Sequence, residues 1–198
     1  MNIKLLLEKI RISMIKQFVL YNMYENEYGG TVDKTEYEGL IKLASEASSL
    51  FPQMKIVEIG ALFGFSTQAI LEGSHNNKVV VVDNFAWNPI GLTPLRHELM
   101  LKSNLNYFIR QNRVEIYKGL SSDVKLFDMT QDNVSMVFID ADHSYEGVLC
   151  DIKYAKSINA KIICGDDYSF EGVKKAVDET FGVEVEFIGD MWFVKSNS

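Results

Sequence analysis

Between residues 55 and 167 the chain alternates short apolar runs with stretches whose apolar residues recur at helical spacing. The runs are "KIVEIG", "KVVVVDN", "RVEIYKG", "VSMVFIDA" and "AKIICGDD". All but the third are nearly continuous, as strands covered on both faces by helices should be. Helical patterns fall between them: Ser66 to Leu71 closed by Gly73, Pro94 to Arg110 with Thr93 as cap, Asp123 to Met129, and Tyr145 to Ile158. Upstream, Ile3, Leu6, Leu7, Ile10, Met14 and Phe18 predict an amphipathic helix. Asp33 and Glu36 form a capping-box pattern for a second helix, which runs through Leu40, Ile41 and Ala44 and stops before Pro52. Downstream, a helix around Val173 to Thr180 precedes "VEVEFIG" and "MWFVKS", which read as an antiparallel hairpin turning near Asp190. The pattern predicts a doubly wound, Rossmann-like α/β fold: a seven-stranded sheet, mostly parallel, with a C-terminal antiparallel hairpin and helices on both faces. We read one domain, with a helical extension over 1–50 and the core over 51–198.

Composition narrows the function. A chain of 198 residues with a formal net charge of −7 and no block of lysine or arginine lacks the footprint of a phosphate backbone, so nucleic acid is not an expected substrate. Lys4, Glu8, Lys9 and Arg11 interrupt the N-terminal apolar residues too early for a signal peptide or a membrane span, and a cytoplasmic protein is expected. Cys150 and Cys164 lie inside apolar patterns and are expected to be buried, reduced thiols. The apolar face of the first helix needs a partner surface, either the core or a second subunit, and so offers a homodimer contact.

Candidate chemistry begins at "VEIGALFGFST", Val57 to Thr67. Gly60 and Gly64 let the backbone bend and approach a ligand, and Ser66 or Thr67 is placed to cap the following helix. The spacing is not the G-x-G-x-x-G that seats a dinucleotide pyrophosphate. Asp83 follows Gly64 by roughly the 20 residues at which an acid reaches a ribose diol; alternatively it caps the turn at "DN". The irregular stretch Phe85 to Pro94 follows that strand and suits a pocket wall. Ligands of open α/β sheets bind outside the carboxyl ends of the strands. In this chain those ends carry Glu58, Asp83, Asp140, Asp142, Asp166 and Asp167. Carboxylates crowded there repel one another unless a cation or several donors compensate, which implies a metal ion or cationic ligand. Asp140, Asp166 and Asp167 suit magnesium, the bland alternative being turn and N-cap residues. His143 is either a general base or a loop histidine, whereas His75 and His97 are expected to be solvated or structural.

The E-x-G-x-x-x-G turn, Asp83, "FIDADHSYEGVLCDI", "GDDY" followed by "GVKKAVDE", and the closing hairpin resemble the class I S-adenosylmethionine-dependent methyltransferases. More narrowly they resemble the macrocin-type sugar and natural-product O-methyltransferases, with catechol-type enzymes as cousins. The resemblance implies that Gly60, Ala61, Gly64 and Ser66 hold the methionine moiety and sugar of S-adenosylmethionine, with Glu58 facing the amino group directly or through water. It implies that Asp83 takes the ribose hydroxyls, that Asn84 and Phe85 lie beside the adenosine, and that Gly119, Leu120 and Ser121 border the adenine. It further implies Asp140, Asp166 and Asp167 as magnesium ligands, with Asp140 and His143 in the catalytic centre and His143 as base. The expected acceptor is then a hydroxyl of a small molecule or sugar. An NAD-type oxidoreductase would use the glycine turn and Asp83 but leaves the Asp166–Asp167 pair and the hairpin without a role. A non-catalytic assembly module, or transfer to nitrogen, are the other readings.

Overall fold

Asp33 opens the first helix of the computed structural model, which describes residues 32–75 and 77–196. The predicted helix over Ile3 to Phe18, and the dimer contact assigned to it, lie outside the described residues. Helix α1 spans Lys34–Leu50, and its capping box is complete: the Glu36 amide donates to Asp33 Oδ1 at 2.9 Å and the Asp33 amide to Glu36 Oε2 at 2.6 Å. After it come β1 (Lys55–Ile59), α2 (Phe65–Gly73), β2 (Val79–Asp83), α3 (Pro94–Asn104), α4 (Asn106–Arg110), β3 (Val114–Lys118), α5 (Val124–Thr130) and β4 (Val134–Ile139). The chain continues through α6 (Tyr145–Ser157), β5 (Ile162–Gly165), α7 (Glu171–Phe181), β6 (Glu186–Ile188) and β7 (Met191–Lys195).

The seven strands form one sheet in the order β3-β2-β1-β4-β5-β7-β6. Strands β1 to β5 pair in parallel, and β7 pairs antiparallel with both β5 and β6. The order reverses between β1 and β4, so their carboxyl ends splay into the crevice where this class of sheet binds ligands. Successive residues of the central strands supply opposite layers of the core. Ile56, Val79, Val81, Met136, Phe138 and Ile162 pack with Leu40, Leu43, Ala69 and Ile70 on one face. Val57, Val80, Val82, Val137 and Ile163 pack with Val148, Ile152, Val173 and Val177 on the other. The interrupted third run is the sheet edge, β3, where only Val114 is buried.

Several boundaries differ from the sequence reading for local reasons. The long helix over Pro94 to Arg110 is two, broken at the fully buried Leu105 (φ −94°, ψ 5°). Gly73 is the last residue of α2, as the sequence reading has it, with Ser74 as C-cap; a Cβ there would sit 2.2 Å from the Ile41 carbonyl oxygen, so the glycine also permits the close approach of α1. Cys164 is buried, and its thiol donates to the Val137 carbonyl; Cys150 is exposed on α6, which corrects the expectation of a buried thiol there. Among the described residues no helix is long and apolar enough to cross a membrane.

Candidate active site

The crevice between β1 and β4 is shaped first by the turn that leaves β1. Gly60 has φ +84°, and its amide donates to the Val82 carbonyl at 2.9 Å. A Cβ at that position would lie 2.1 Å from the Asp140 carbonyl oxygen, so only glycine lets the turn cross β4 this closely. Gly64, at φ +87°, is the N-cap of α2, and no side chain caps that helix. The expected capping hydroxyls are used differently: Ser66 and Thr67 both donate to the carboxylate of Glu58, at 2.6 Å from Ser66. Val32, Ala61, Leu62, Phe63, Phe65, Ser66 and Asp140 line the crevice over this turn.

Glu58 is wholly buried beneath the turn, and burial pushes its pKa up to about 8 against the lowering effect of the two hydroxyls. Both oxygens are taken by Ser66 and Thr67, so in this structure Glu58 tethers the turn to α2 rather than presenting a free anion to the crevice. Asp83 also serves the turn: Oδ2 accepts from the amides of Ala61 and Leu62 at 3.1 and 3.2 Å, and Oδ1 from the amide of Phe85 at 2.6 Å. The Phe85 position is corrected by the structure. At φ +59° its side chain turns inward, is fully buried, and packs edge-on against His97 with centroids 5.3 Å apart, so it belongs to the core and not to the ligand crevice. Asn84 is exposed, and its Oδ1 accepts from the Ala86 amide.

Sequence reasoning gave His97 no part in the site, yet it buttresses the turn. Its Nε2 donates to the Leu62 carbonyl at 2.7 Å while its ring packs between Phe63 and Phe85. His75 is exposed. After β3, Gly119 donates its amide to the Asp83 carbonyl, Leu120 is half exposed, and the Ser121 hydroxyl donates to buried Asp151. Asp151 is pushed up to about 6, chiefly by burial.

The acids at the ends of β4 and β5 converge around His143. Ligand atoms of Asp140, His143 and Asp167 lie within 4.8 Å of one another. His143 Nε2 is 3.4 Å from Asp140 Oδ1 and 3.2 Å from Asp167 Oδ2. The Asp140 hydrogen bond is the main cause of the raised pKa of His143, which burial opposes. Asp140 itself is pushed up to about 6, and Asp166 to about 8, in both cases mainly by burial.

Asp166 stands apart from that trio. Its Oδ1 is buried with no hydrogen-bond partner among the described residues, although the sequence places it beside Asp167. A buried carboxylate oxygen left without a donor requires a proton or a cation. With the hard oxygens of Asp140 and Asp167 close by, the donor chemistry fits a divalent ion such as magnesium. Asp142, by contrast, takes the Ser144 amide at the start of α6 and acts as a turn residue.

Asp190, read from the sequence only as a hairpin turn, and Ser169, not singled out there, tie the loop after β5 to the rest of the fold. Asp190, in the β6–β7 turn, accepts from the amide and hydroxyl of Ser169, at 2.9 and 2.6 Å, and donates its own amide to Glu36 at 3.3 Å. The capping box of α1, the hairpin tip and the loop after β5 are therefore one network.

A family model described as a methyltransferase domain matches residues 57–168. No curated protein sequence matches the chain. Among solved structures, an O-methyltransferase from Bacillus cereus in complex with S-adenosylhomocysteine aligns at a TM-score of 0.64 and 19% identity, over 93% of this chain and 91% of that one. The calicheamicin-biosynthesis TDP-rhamnose 3′-O-methyltransferase CalS11 aligns at 0.62 and 14%, over 96% and 93%. The O-methyltransferase NovP aligns at 0.59 and 17%, over 86% and 84%.

Proposed function

The chain belongs to the methyltransferase-domain family and is an S-adenosylmethionine-dependent methyltransferase; from that premise we propose that it methylates a hydroxyl of a small molecule or sugar, with magnesium assistance. The observation that carries the reading is the meeting of Asp140, His143 and Asp167 at the mouth of the crevice under which the glycine turn passes. The methionine moiety and sugar of the cofactor lie along Gly60, Ala61, Gly64 and Ser66, and Asp83 takes the ribose hydroxyls. Because Asp83 already holds the amides of Ala61 and Leu62, the ribose contact and the shape of the turn are coupled. Asn84 lies beside the adenosine, and Gly119, Leu120 and Ser121 border the adenine. With Glu58 enclosed, Asp140 is the acid left lining the crevice to face the cofactor's amino group.

The transfer is an in-line displacement in which the C–S bond breaks as the C–O bond forms, so positioning supplies much of the acceleration. His143, its Nε2–H directed at the carboxylates of Asp140 and Asp167, takes the acceptor's hydroxyl proton at its other ring nitrogen, and those carboxylates stabilise the imidazolium that results. Asp140, Asp167 and the adjoining Asp166 would hold magnesium, which, when bound, supplies charge stabilisation to the developing alkoxide. The net charge of −7 favours a small acceptor over nucleic acid, and the absence of a membrane-crossing helix among the described residues accords with a cytoplasmic enzyme.

Calorimetric titration tests the cofactor assignment. S-adenosylmethionine and S-adenosylhomocysteine are expected to bind and NAD to give no heat; NAD binding alone would replace this reading with an oxidoreductase. The base is tested by His143→Gln, expected to lower kcat about 100-fold with little change in cofactor affinity. A wild-type rate in that variant would remove His143 from the chemistry.

A further inference from the structure

Phe170 stands at the edge of the acid cluster and has no part in the chemistry above. It is the residue preceding α7 and is 51% exposed. Its ring lies edge-on to that of His143, with centroids 5.1 Å apart and planes at 61°. It belongs to none of the apolar core clusters formed by the described residues. A single exposed phenylalanine on a protein surface is ordinary. This one touches the imidazole that bridges two carboxylates.

Its position is fixed by backbone rather than by burial. The Phe170 amide donates to the Asp167 carbonyl at 2.9 Å, and the preceding Ser169 is held by Asp190. Two residues on, Gly172 presses α7 against the His143 segment so tightly that a Cβ would be 2.4 Å from the His143 carbonyl oxygen. The ring is thus held against His143 with about half its surface open to solvent.

The two sides of this place have different chemistry. His143, Asp140 and Asp167 are hydrogen-bonding groups that recognise a hydroxyl at the reacting end. Phe170 offers a flat apolar surface next to them, and an aromatic face gains from contact with another flat apolar group. A ligand that satisfies both sides has hydroxyls on its edge and an apolar face.

Resting on the O-methyltransferase reading, we propose that Phe170 is the acceptor-stacking residue, selecting a hydroxyl-bearing six-membered ring and presenting its edge hydroxyl to His143. An aromatic diol and the apolar face of a pyranose share this chemistry.

The test uses the full chain with S-adenosylhomocysteine and magnesium, and probes of three kinds: catechol, methyl α-L-rhamnopyranoside and the acyclic diol ethylene glycol. Binding is measured by saturation-transfer NMR and calorimetry for wild type, Phe170→Leu and Phe170→Trp. The expected result is about tenfold weaker binding of one or both ring probes to Phe170→Leu and recovery in Phe170→Trp. S-adenosylhomocysteine affinity, ethylene glycol binding and the NMR titration of His143 are expected to stay as in wild type. A response to catechol alone selects the aromatic source, and to the rhamnoside alone the sugar. If S-adenosylhomocysteine binds but the ring probes fail to bind wild type, or bind Phe170→Leu equally well, the stacking role is overturned while the cofactor reading stands. The stacking role is likewise overturned if only the His143 titration moves. If S-adenosylhomocysteine itself does not bind the wild type, both readings fall together.

Discussion

Gly60→Ala is expected to lose about 4 kcal/mol of stability or more and, with it, measurable affinity for S-adenosylhomocysteine. Two costs add at this position. An alanine at φ +84° occupies a backbone region that disfavours a Cβ, at about 1–2 kcal/mol. The new Cβ would also lie 2.1 Å from the Asp140 carbonyl oxygen and 2.7 Å from the Ala141 Cα, both backbone atoms that cannot turn aside like a side chain. Relief requires β1 and β4 to part at their carboxyl ends. That movement would take the Ala61 and Leu62 amides off Asp83 and widen the crevice the cofactor fills. Gly91→Ala separates the two costs, because Gly91 has φ +67° with nothing within 4 Å of its ideal Cβ. It should lose only about 1 kcal/mol and keep cofactor affinity. Urea denaturation and calorimetry on both variants decide the matter. A Gly60→Ala protein as stable as Gly91→Ala, and binding as wild type does, would show that the turn does not depend on this approach.

The strands, their order of appearance and the closing hairpin were legible because two-residue and 3.6-residue periods report directly on which residues a layered fold buries. The same periods place acids at strand ends but say nothing of where a side chain turns after the strand stops. Asp166 and Asp167 show this. Adjacent in sequence, they read alike as ligands of one ion, and nothing local reveals that, with φ +58° at Asp167, the Asp167 carboxylate also faces His143 while Asp166 Oδ1 is buried without a hydrogen-bond partner among the described residues. Phe85 is the parallel case: its backbone has φ +59° and its ring is fully buried, neither of which its place after the strand reveals. Partner choice was equally hidden. Ser66 and Thr67 have the composition of helix caps, and nothing local reveals that a buried glutamate eight and nine positions earlier will take both hydroxyls. The link from Asp190 to Glu36 spans 154 residues and exists only because β7 pairs with β5 and so carries the hairpin tip to the start of α1.

Enclosure of Glu58 makes stability depend on pH in the direction opposite to ordinary acid denaturation. Burial is the largest influence on its carboxyl and raises it to about 8, with the charges of Asp140 and Asp83 acting in the same direction. In the unfolded chain the group titrates near 4.3. Between these values the folded state holds a proton that the unfolded state has lost, so the slope of unfolding free energy with pH is negative. The stabilisation is fully present below about pH 4 and is lost as pH rises through about 8. From pH 6 to pH 9 the loss from this group is roughly 3 kcal/mol. Asp166, also raised to about 8, adds to it with the same sign. Glu58→Gln preserves the shape and neutrality of the protonated acid, and one serine or threonine hydroxyl can rotate to accept from its amide. That variant is expected to fold, to be close to wild type near pH 4, to be more stable than wild type at pH 9, and to show a clearly flatter loss of stability between pH 6 and pH 9. Urea midpoints across that range, measured with chelator present, give the answer. If wild type and Glu58→Gln decline in parallel, Glu58 is ionised in the folded protein and the Ser66 and Thr67 hydroxyls suffice to hold its charge beneath the turn. If only the wild type declines steeply, the residue that opens the E-x-G turn is a neutral tether, and the cofactor's amino group must find its negative partner elsewhere in the crevice, at Asp140.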